Sequence, residues 1–244
     1  MPFTPAHAAL VLPMLRSRKF SATALIIGSM APDFEYFFKF QVSSTMSHTL
    51  WGILYFDIPV VIVLALVFHL LVKENLIDSL PVFFQQRLQD LRNLDFEDYL
   101  KNNYFIFIIS AAIGTATHIF WDAFTHANGF FVRELPFYDG TVVPFQGARY
   151  PLYYALQHLS TIVGLTLVIF YFIRQTPVNV ASSAAVVSVK YWLVILIITA
   201  AVVVIRFSIY ADDYIIGNLV VTAITGFCIA VVTAGFFNFS KRPA

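Results

Sequence analysis

The chain has 244 residues, of which 59% are hydrophobic and only 12% charged, with a formal net charge of +1. Soluble domains carry about 25% charged residues, and disordered chains are poor in large apolar side chains. With 26 Phe and 12 Tyr, this chain belongs to neither class. The near-zero charge leaves no basic excess to attract nucleic acid, and a lone cysteine, Cys228, precludes an intrachain disulfide or a cysteine metal cluster. The composition is that of an integral membrane protein, in which any metal must be held by His, Asp and Glu.

The opening residues, Met1-Pro2-Phe3-Thr4-Pro5-Ala6-His7, lack the basic start and unbroken apolar core of a secretory signal, so the mature chain is expected to begin at or near Met1. Residues 8–15 and 22–31 are apolar but too short to span, which predicts short interfacial or re-entrant helices. Five stretches approach the roughly 20 apolar residues a span requires. They are residues 51–72, 104–120, 152–173, 191–210 and 215–237. Between the first two, residues 79–100 set Phe84, Leu88 and Leu91 against Gln85, Gln86, Arg87, Gln89 and Asp90, the pattern of a helix lying in the interface. The expected fold is an all-α membrane helix bundle, a single domain over residues 1–244. It comprises a ligand-bearing N-terminal segment (1–50), two spans with the interfacial helix (51–126) and three further spans (152–237).

Five spans place residues 1–50, 121–151 and 211–214 on one face and residues 73–103, 174–190 and 238–244 on the other. The first face carries six Lys and Arg and the second eight, so the positive-inside rule places the second in the cytoplasm and the first outside.

In a chain so poor in charge, ionisable groups near the membrane are informative, because each is costly to place there unpaired. His118, Asp122 and His126 follow at i, i+4 and i+8, which puts them on one helix face. Two imidazoles and a carboxylate on one face suit one or two metal ions. His7, Asp33, His48 and His158 fall in segments that reach the same membrane face. His69 lies 21 residues beyond His48, about 31 Å along a helix, and is expected to stand apart with no functional role. Each residue has a plainer reading as well. His7 can be a surface residue near a helix start, Asp33 a helix cap, and His158 a partner of Gln157, Ser160 and Thr161 across helices. Their convergence raises the metal reading.

Several blocks together carry a resemblance. Met1-Pro2-Phe3-Thr4-x-x-His7, Gly28-Ser29-Met30-Ala31-Pro32-Asp33-Phe34-Glu35-Tyr36, Ser47-His48-Thr49, Thr117-His118-x-x-Trp121-Asp122-x-x-Thr125-His126 and Leu156-Gln157-His158 resemble a family of uncharacterised bacterial multi-pass membrane proteins. That family looks related to predicted membrane-bound metal-dependent hydrolases of the YdjM type. More distantly, the ligand order is similar to that of the zinc-dependent phospholipase C and single-strand nuclease superfamily. The resemblance implies one metal bound by Asp33, His48, His118 and Asp122, a neighbouring one by His126 and His158, and His7 near a third. Ile162 follows His158 at i+4 where that superfamily has a carboxylate, and Met1 is a poor source of its processed N-terminal amine. The first site is therefore the better supported.

These residues lead to an expected membrane-embedded hydrolase dependent on a divalent metal, most simply Zn²⁺, with one ion favoured and two possible. Asp33 and Asp122 are candidate general bases as well as ligands, and Glu35 could orient a ligand from behind. Arg206 is a candidate contact for a lipid phosphate, with pairing to Asp212 or Asp213 as the alternative, and Asp57 is a further buried-charge candidate. A site at headgroup level points to an ester or phosphoester of a lipid or lipid-linked substrate, in the inner membrane with the site facing outward. The competing readings are a metal transporter, a sensor, or an assembly protein stapled by metal.

Overall fold

The computed structural model describes residues 3–180, 188–237 and 239. Met1 and Pro2 of the opening block, and with them the N-terminal amine, lie outside the described residues, as does most of the tail 238–244. Among the described residues the fold is all-α apart from one hairpin, and five helices are long and apolar enough to cross a membrane.

A 3₁₀ helix, Thr4–Met14, opens the described chain with Pro at its first turn, followed by α1 (Ala22–Gly28), capped by Ser21, and α2 (Phe34–Lys39). The first span, α3, runs over Leu50–Asp78 and is wound more loosely at Ile53–Asp57 and Phe68–Val72. Short helices α4 (Val82–Arg87) and α5 (Gln89–Asn93) lead to α6 (Phe96–Thr125), then α7 (Phe130–Glu134). Strands β1 (Val142–Phe145) and β2 (Ala148–Pro151) form an antiparallel hairpin. Three spans complete the chain, α8 (Leu152–Ile173), α9 (Val189–Ile209) and α10 (Ile216–Gly235).

Three features differ from the sequence expectation. The helix that carries the second span starts earlier, at Phe96, with Glu97 and Asp98 suiting its first turn, but it kinks at Asn103, whose backbone is not helical (φ −133°, ψ 24°), so the apolar span itself begins at the expected place. The interfacial segment breaks into α4 and α5, and Gln85, from its expected polar face, is buried and donates to the carbonyls of Asp78 and Leu80. Buried carbonyls at the end of α3 need a donor, and Gln85 supplies it. The hairpin was not anticipated at all.

The contacts divide the chain into two compact units. One comprises Met1–Asp33, Met46–Val61 and Phe105–Arg174; the other comprises Phe34–Thr45, Ile62–Tyr104 and Gln175–Ala244. In the second unit, Tyr191 and Ile195 of α9 pack on Ala230 and Ala234 of α10, and a bidentate Arg92–Asp78 pair ties α5 to the end of α3. The first unit holds the ligand candidates. Its core is the stripe Phe107, Ala111, Thr115, His118 and Asp122 along α6, all buried. Steps of three and four keep these residues on one face. Small residues let α1 lie against that stripe. A Cβ on Gly28 would meet the Ala111 carbonyl oxygen at 2.7 Å, and one on Gly114 would meet the Leu25 carbonyl oxygen at 2.5 Å. The Ser110 hydroxyl accepts from the Ser21 amide at 2.8 Å and fixes the other end of the crossing. The 3₁₀ helix lies along α8, with Ala6 against Gly164 and the Phe3 amide donating to Thr161 at 3.0 Å.

Candidate metal centre

His118 and Asp122 occupy the last two turns of α6, and His48 comes two residues before α3 begins at Leu50. Asp33 ends a short turn after Pro32, and His7 lies on the 3₁₀ helix. In such a helix residues i and i+3 eclipse. Thr4 and His7 therefore share a face, and both are buried.

Four of these residues form a close set. His118 Nε2 lies 3.6 Å from Asp33 Oδ1 and 3.4 Å from Asp122 Oδ2. His48 Nε2 lies 3.6 Å from Asp33 Oδ1 and 3.5 Å from Asp122 Oδ2. These are long for hydrogen bonds. Each is close to one edge, about 3.3–3.6 Å, of a tetrahedron with arms of about 2.0–2.2 Å, and Asp33, His48 and His118 each offer a ligand atom within 4.8 Å of the other two. Asp33 Oδ1, His118 Nε2 and both oxygens of Asp122 are buried with no hydrogen-bond partner. Leaving so many polar atoms unsatisfied in one place is costly unless a ligand completes them.

The remaining atoms of these side chains are committed elsewhere in a way that aims the free ones inward. His118 Nδ1 lies 2.8 Å from the Ser29 carbonyl oxygen, which only accepts. Nδ1 thus carries a proton, and Nε2, turned to the two carboxylates, is the nitrogen that a metal would take. Thr4 Oγ1 donates to Asp33 Oδ2 at 2.6 Å, leaving Oδ1 for the centre. His48 Nδ1 pairs with the Ser47 hydroxyl at 2.9 Å. The sequence assigns no role to Thr4, Gly28, Ser29 or Gly114, although the first three stand in the blocks that carry the resemblance. Thr4 at i−3 from His7, and two glycines in apolar helices, were the available signals. Replacing Thr4 by Val is expected to weaken metal affinity by about 10–100-fold, with Thr4→Ser restoring it, as read by competition with a chelator.

A second cluster adjoins the first through the other oxygen of the same carboxylate. Asp122 Oδ1 lies 3.6 Å from His7 Nε2 and 3.5 Å from His126 Nδ1. The His7 ring stacks on His118 with centroids 3.8 Å apart, and neither His7 nitrogen is hydrogen-bonded although the side chain is fully buried. His126 is partly exposed, and its Nδ1 also lies 3.3 Å from the Asp122 carbonyl oxygen.

Charge is distributed to suit a cation. Burial, with His118 beside it, depresses His7 to a pKa of about 3, so that its ring is neutral. Burial works against charge on Asp33 too, but His118, His48 and His7 around it hold the carboxyl below its usual range. His48 is also opposed by burial, yet Asp122 and Asp33 beside its Nε2 raise it to about 9. Two buried carboxylates call for positive charge, which protonated imidazole or a divalent ion can supply.

The remaining candidates lie elsewhere. His158 is exposed on α8, its ring edge-on to Tyr154 at 4.7 Å, and it does not join the cluster. Gln157 is the buried neighbour, and one residue on an α-helix turns the side chain by about 100°, which carries His158 outward. Glu35, in the second unit, accepts from Lys39 at 2.6 Å and from the Thr45 amide and hydroxyl at 2.8 Å. Arg206 donates to Asp213 at 2.7 Å and lies over the Tyr210 ring, an arrangement that serves the end of α9. Asp57 is buried at the end of the first loosely wound turn of α3. His69, stacked on Phe96 at 4.0 Å, belongs to the second unit.

The family described as a domain of unknown function, DUF4184, matches residues 1–236, which include every residue of the cluster. The chain belongs to the DUF4184 family. No curated protein and no solved structure matches it. The DUF4184 match spans both units and all five spanning helices, so the ligand cluster and the membrane helices are parts of one family unit.

Proposed function

We propose that this DUF4184 protein is a membrane-embedded, metal-dependent hydrolase acting on an ester or phosphoester of a lipid or lipid-linked substrate. The observation that carries the reading is Asp122, whose Oδ2 faces His48 and His118 while its Oδ1 faces His7 and His126. A carboxylate so placed could serve two ions. Asp33, His48 and His118, with Asp122 Oδ2, would hold the first, and Asp122 Oδ1 with His7, His126 lying beside them, would hold the second, where so few protein ligands would leave a place for water. A divalent ion held there would supply a water of pKa towards about 7 for attack on an acyl carbon or phosphorus, the ester C–O or P–O bond breaking and the alcohol leaving with a proton. Both carboxylates serve as ligands on this reading, since Thr4 occupies the other oxygen of Asp33.

The nearness of His48 to the start of α3 and of Asp122 to the end of α6 supports a site at the level of lipid headgroups. The resemblance of the sequence blocks to a family related to YdjM-type hydrolases, and of the ligand order to zinc-dependent phospholipase C, supports the same reaction class, Zn²⁺ as the ion and a bacterial inner membrane, and the count of Lys and Arg on the two faces supports a site facing outward. The second reading, a structural staple, is favoured by the closed four-ligand set, which is the usual form of a structural zinc site.

Stoichiometry and turnover separate the two. Metal-loaded protein in lipid nanodiscs is expected to hold two ions and to turn over at least one member of a panel of phospholipids and lipid-linked phosphoesters. His7→Ala is expected to keep one ion and lose activity by on the order of a thousandfold. One ion, with no turnover across the panel, establishes the staple. Absence of metal from the unaltered protein defeats both readings.

A further inference from the structure

The loop between α6 and α8 carries apolar surface that the fold leaves uncovered. In the hairpin, Val143 pairs with Tyr150 and Phe145 with Ala148, while Pro144 pairs with Arg149. Alternation along the strands puts Val143, Phe145, Ala148 and Tyr150 on one face and Arg149 on the other. Gln146 and Gly147, both with positive φ, close the two-residue turn that fixes this register. At the base of the hairpin the apolar face leans on α8, where Tyr150 stacks on Tyr154 with centroids 5.5 Å apart. At the tip the same face continues past the helix, and Phe145 is 61% exposed.

What lies opposite that face follows from the chain connection. Strand β2 ends at Pro151 and α8 starts at Leu152. A helix of 22 residues is about 33 Å long, the thickness of a hydrocarbon core, so Leu152 stands at the membrane boundary and Tyr150 at headgroup level. A two-stranded hairpin is marginal in water, and an aromatic side chain at its tip adds to the cost of leaving it there. Tyr at the boundary and Arg on the outer face are the residues that interfacial elements use, the first between apolar and wet layers and the second on phosphate.

We propose that the β1–β2 hairpin is a membrane-docking element that lays Phe145 into the headgroup–acyl boundary of the bilayer spanned by α8, with Arg149 on the phosphates. Its consequence reaches the ligand helix. The Tyr138 hydroxyl donates to the Phe124 carbonyl at 2.9 Å, and Phe131 stacks on Phe124 at 4.0 Å, so the loop is tied to the turn that holds Asp122 and His126. Docking brings lipid headgroups to the end of α6. The inference rests on the spans and the hairpin register and stands whether or not the cluster binds metal.

The test places one fluorophore on a cysteine at Phe145 or, as control, at Asp139, in a Cys228→Ala background reconstituted in phosphatidylcholine–phosphatidylglycerol vesicles. Quenching by lipids with a nitroxide high on the acyl chain is expected to be about twofold or more stronger at 145 than at 139, with aqueous iodide giving the reverse order. Equal quenching at both positions overturns the proposal. So does a label at 145 reached by iodide and not by lipid, or one shielded from both quenchers, which would mean that protein covers the face.

Discussion

Asp122→Asn protein is expected to bind metal on the order of a hundredfold more weakly and to purify with less of it, while His158→Ala keeps the full complement. Asn preserves the shape of the side chain but replaces a charged, bidentate acceptor by a neutral amide, in a position where each oxygen faces a different pair of imidazoles. Structural zinc is bound by about 10–16 kcal/mol, so losing one of four ligands costs about 3 kcal/mol, on the order of a hundredfold in affinity, and losing a shared ligand weakens both positions at once. His126→Ala, by contrast, removes only the partly exposed member of the second cluster and is expected to leave one ion. Elemental analysis of the purified variants reads all three outcomes. Unchanged metal content in Asp122→Asn would sink the site as drawn.

Gly114→Ala is the second change with a large expected effect, although it adds a single methyl to a residue that is not itself a ligand. The new Cβ would lie 2.5 Å from the Leu25 carbonyl oxygen and 2.9 Å from the Ser29 nitrogen. Both are backbone atoms, so no side chain can swing aside, and α1 must move off α6. Overpacking of this kind costs about 1–3 kcal/mol, and the upper part of that range applies where backbone is struck. Ser29 moves with α1, and its carbonyl holds His118 Nδ1, so metal affinity is expected to fall together with thermal stability. Ala116→Leu, on the exposed face of the same helix, adds more bulk and is expected to leave both unchanged. A Gly114→Ala protein as stable as the unaltered one would show that the helices are not held at this crossing.

The reach of sequence reading depended on whether a relation lay within one helix or between several. His118, Asp122 and His126 could be placed on one face because the helical period alone decides it. The early position of Asp33 and His48, next to a span, gave their membrane level but not their partners. His158 shows the limit, since its distance along α8 fitted the cluster and its rotation about the axis did not. That rotation is set by Gly164 and Gln157 packing inward, with Gly164 against the 3₁₀ helix, a contact between segments more than 150 residues apart. Gln85 shows the same limit in reverse. A polar residue on a nominally wet face is drawn inward by carbonyls at the end of a neighbouring helix.

By itself the sequence determined the solvent, the spans and the scarcity of charge that makes a few imidazoles and carboxylates conspicuous. These depend on composition and local period, which a single chain carries in full. Only the tertiary structure decided which of the candidates meet, that Asp122 offers its two oxygens to two different groups, and that Thr4 and the Ser29 carbonyl set the free atoms of Asp33 and His118. Those outcomes depend on the distance and rotation between helices. Here both are fixed by glycines that allow backbone to touch backbone, and no local pattern encodes how close two remote segments come.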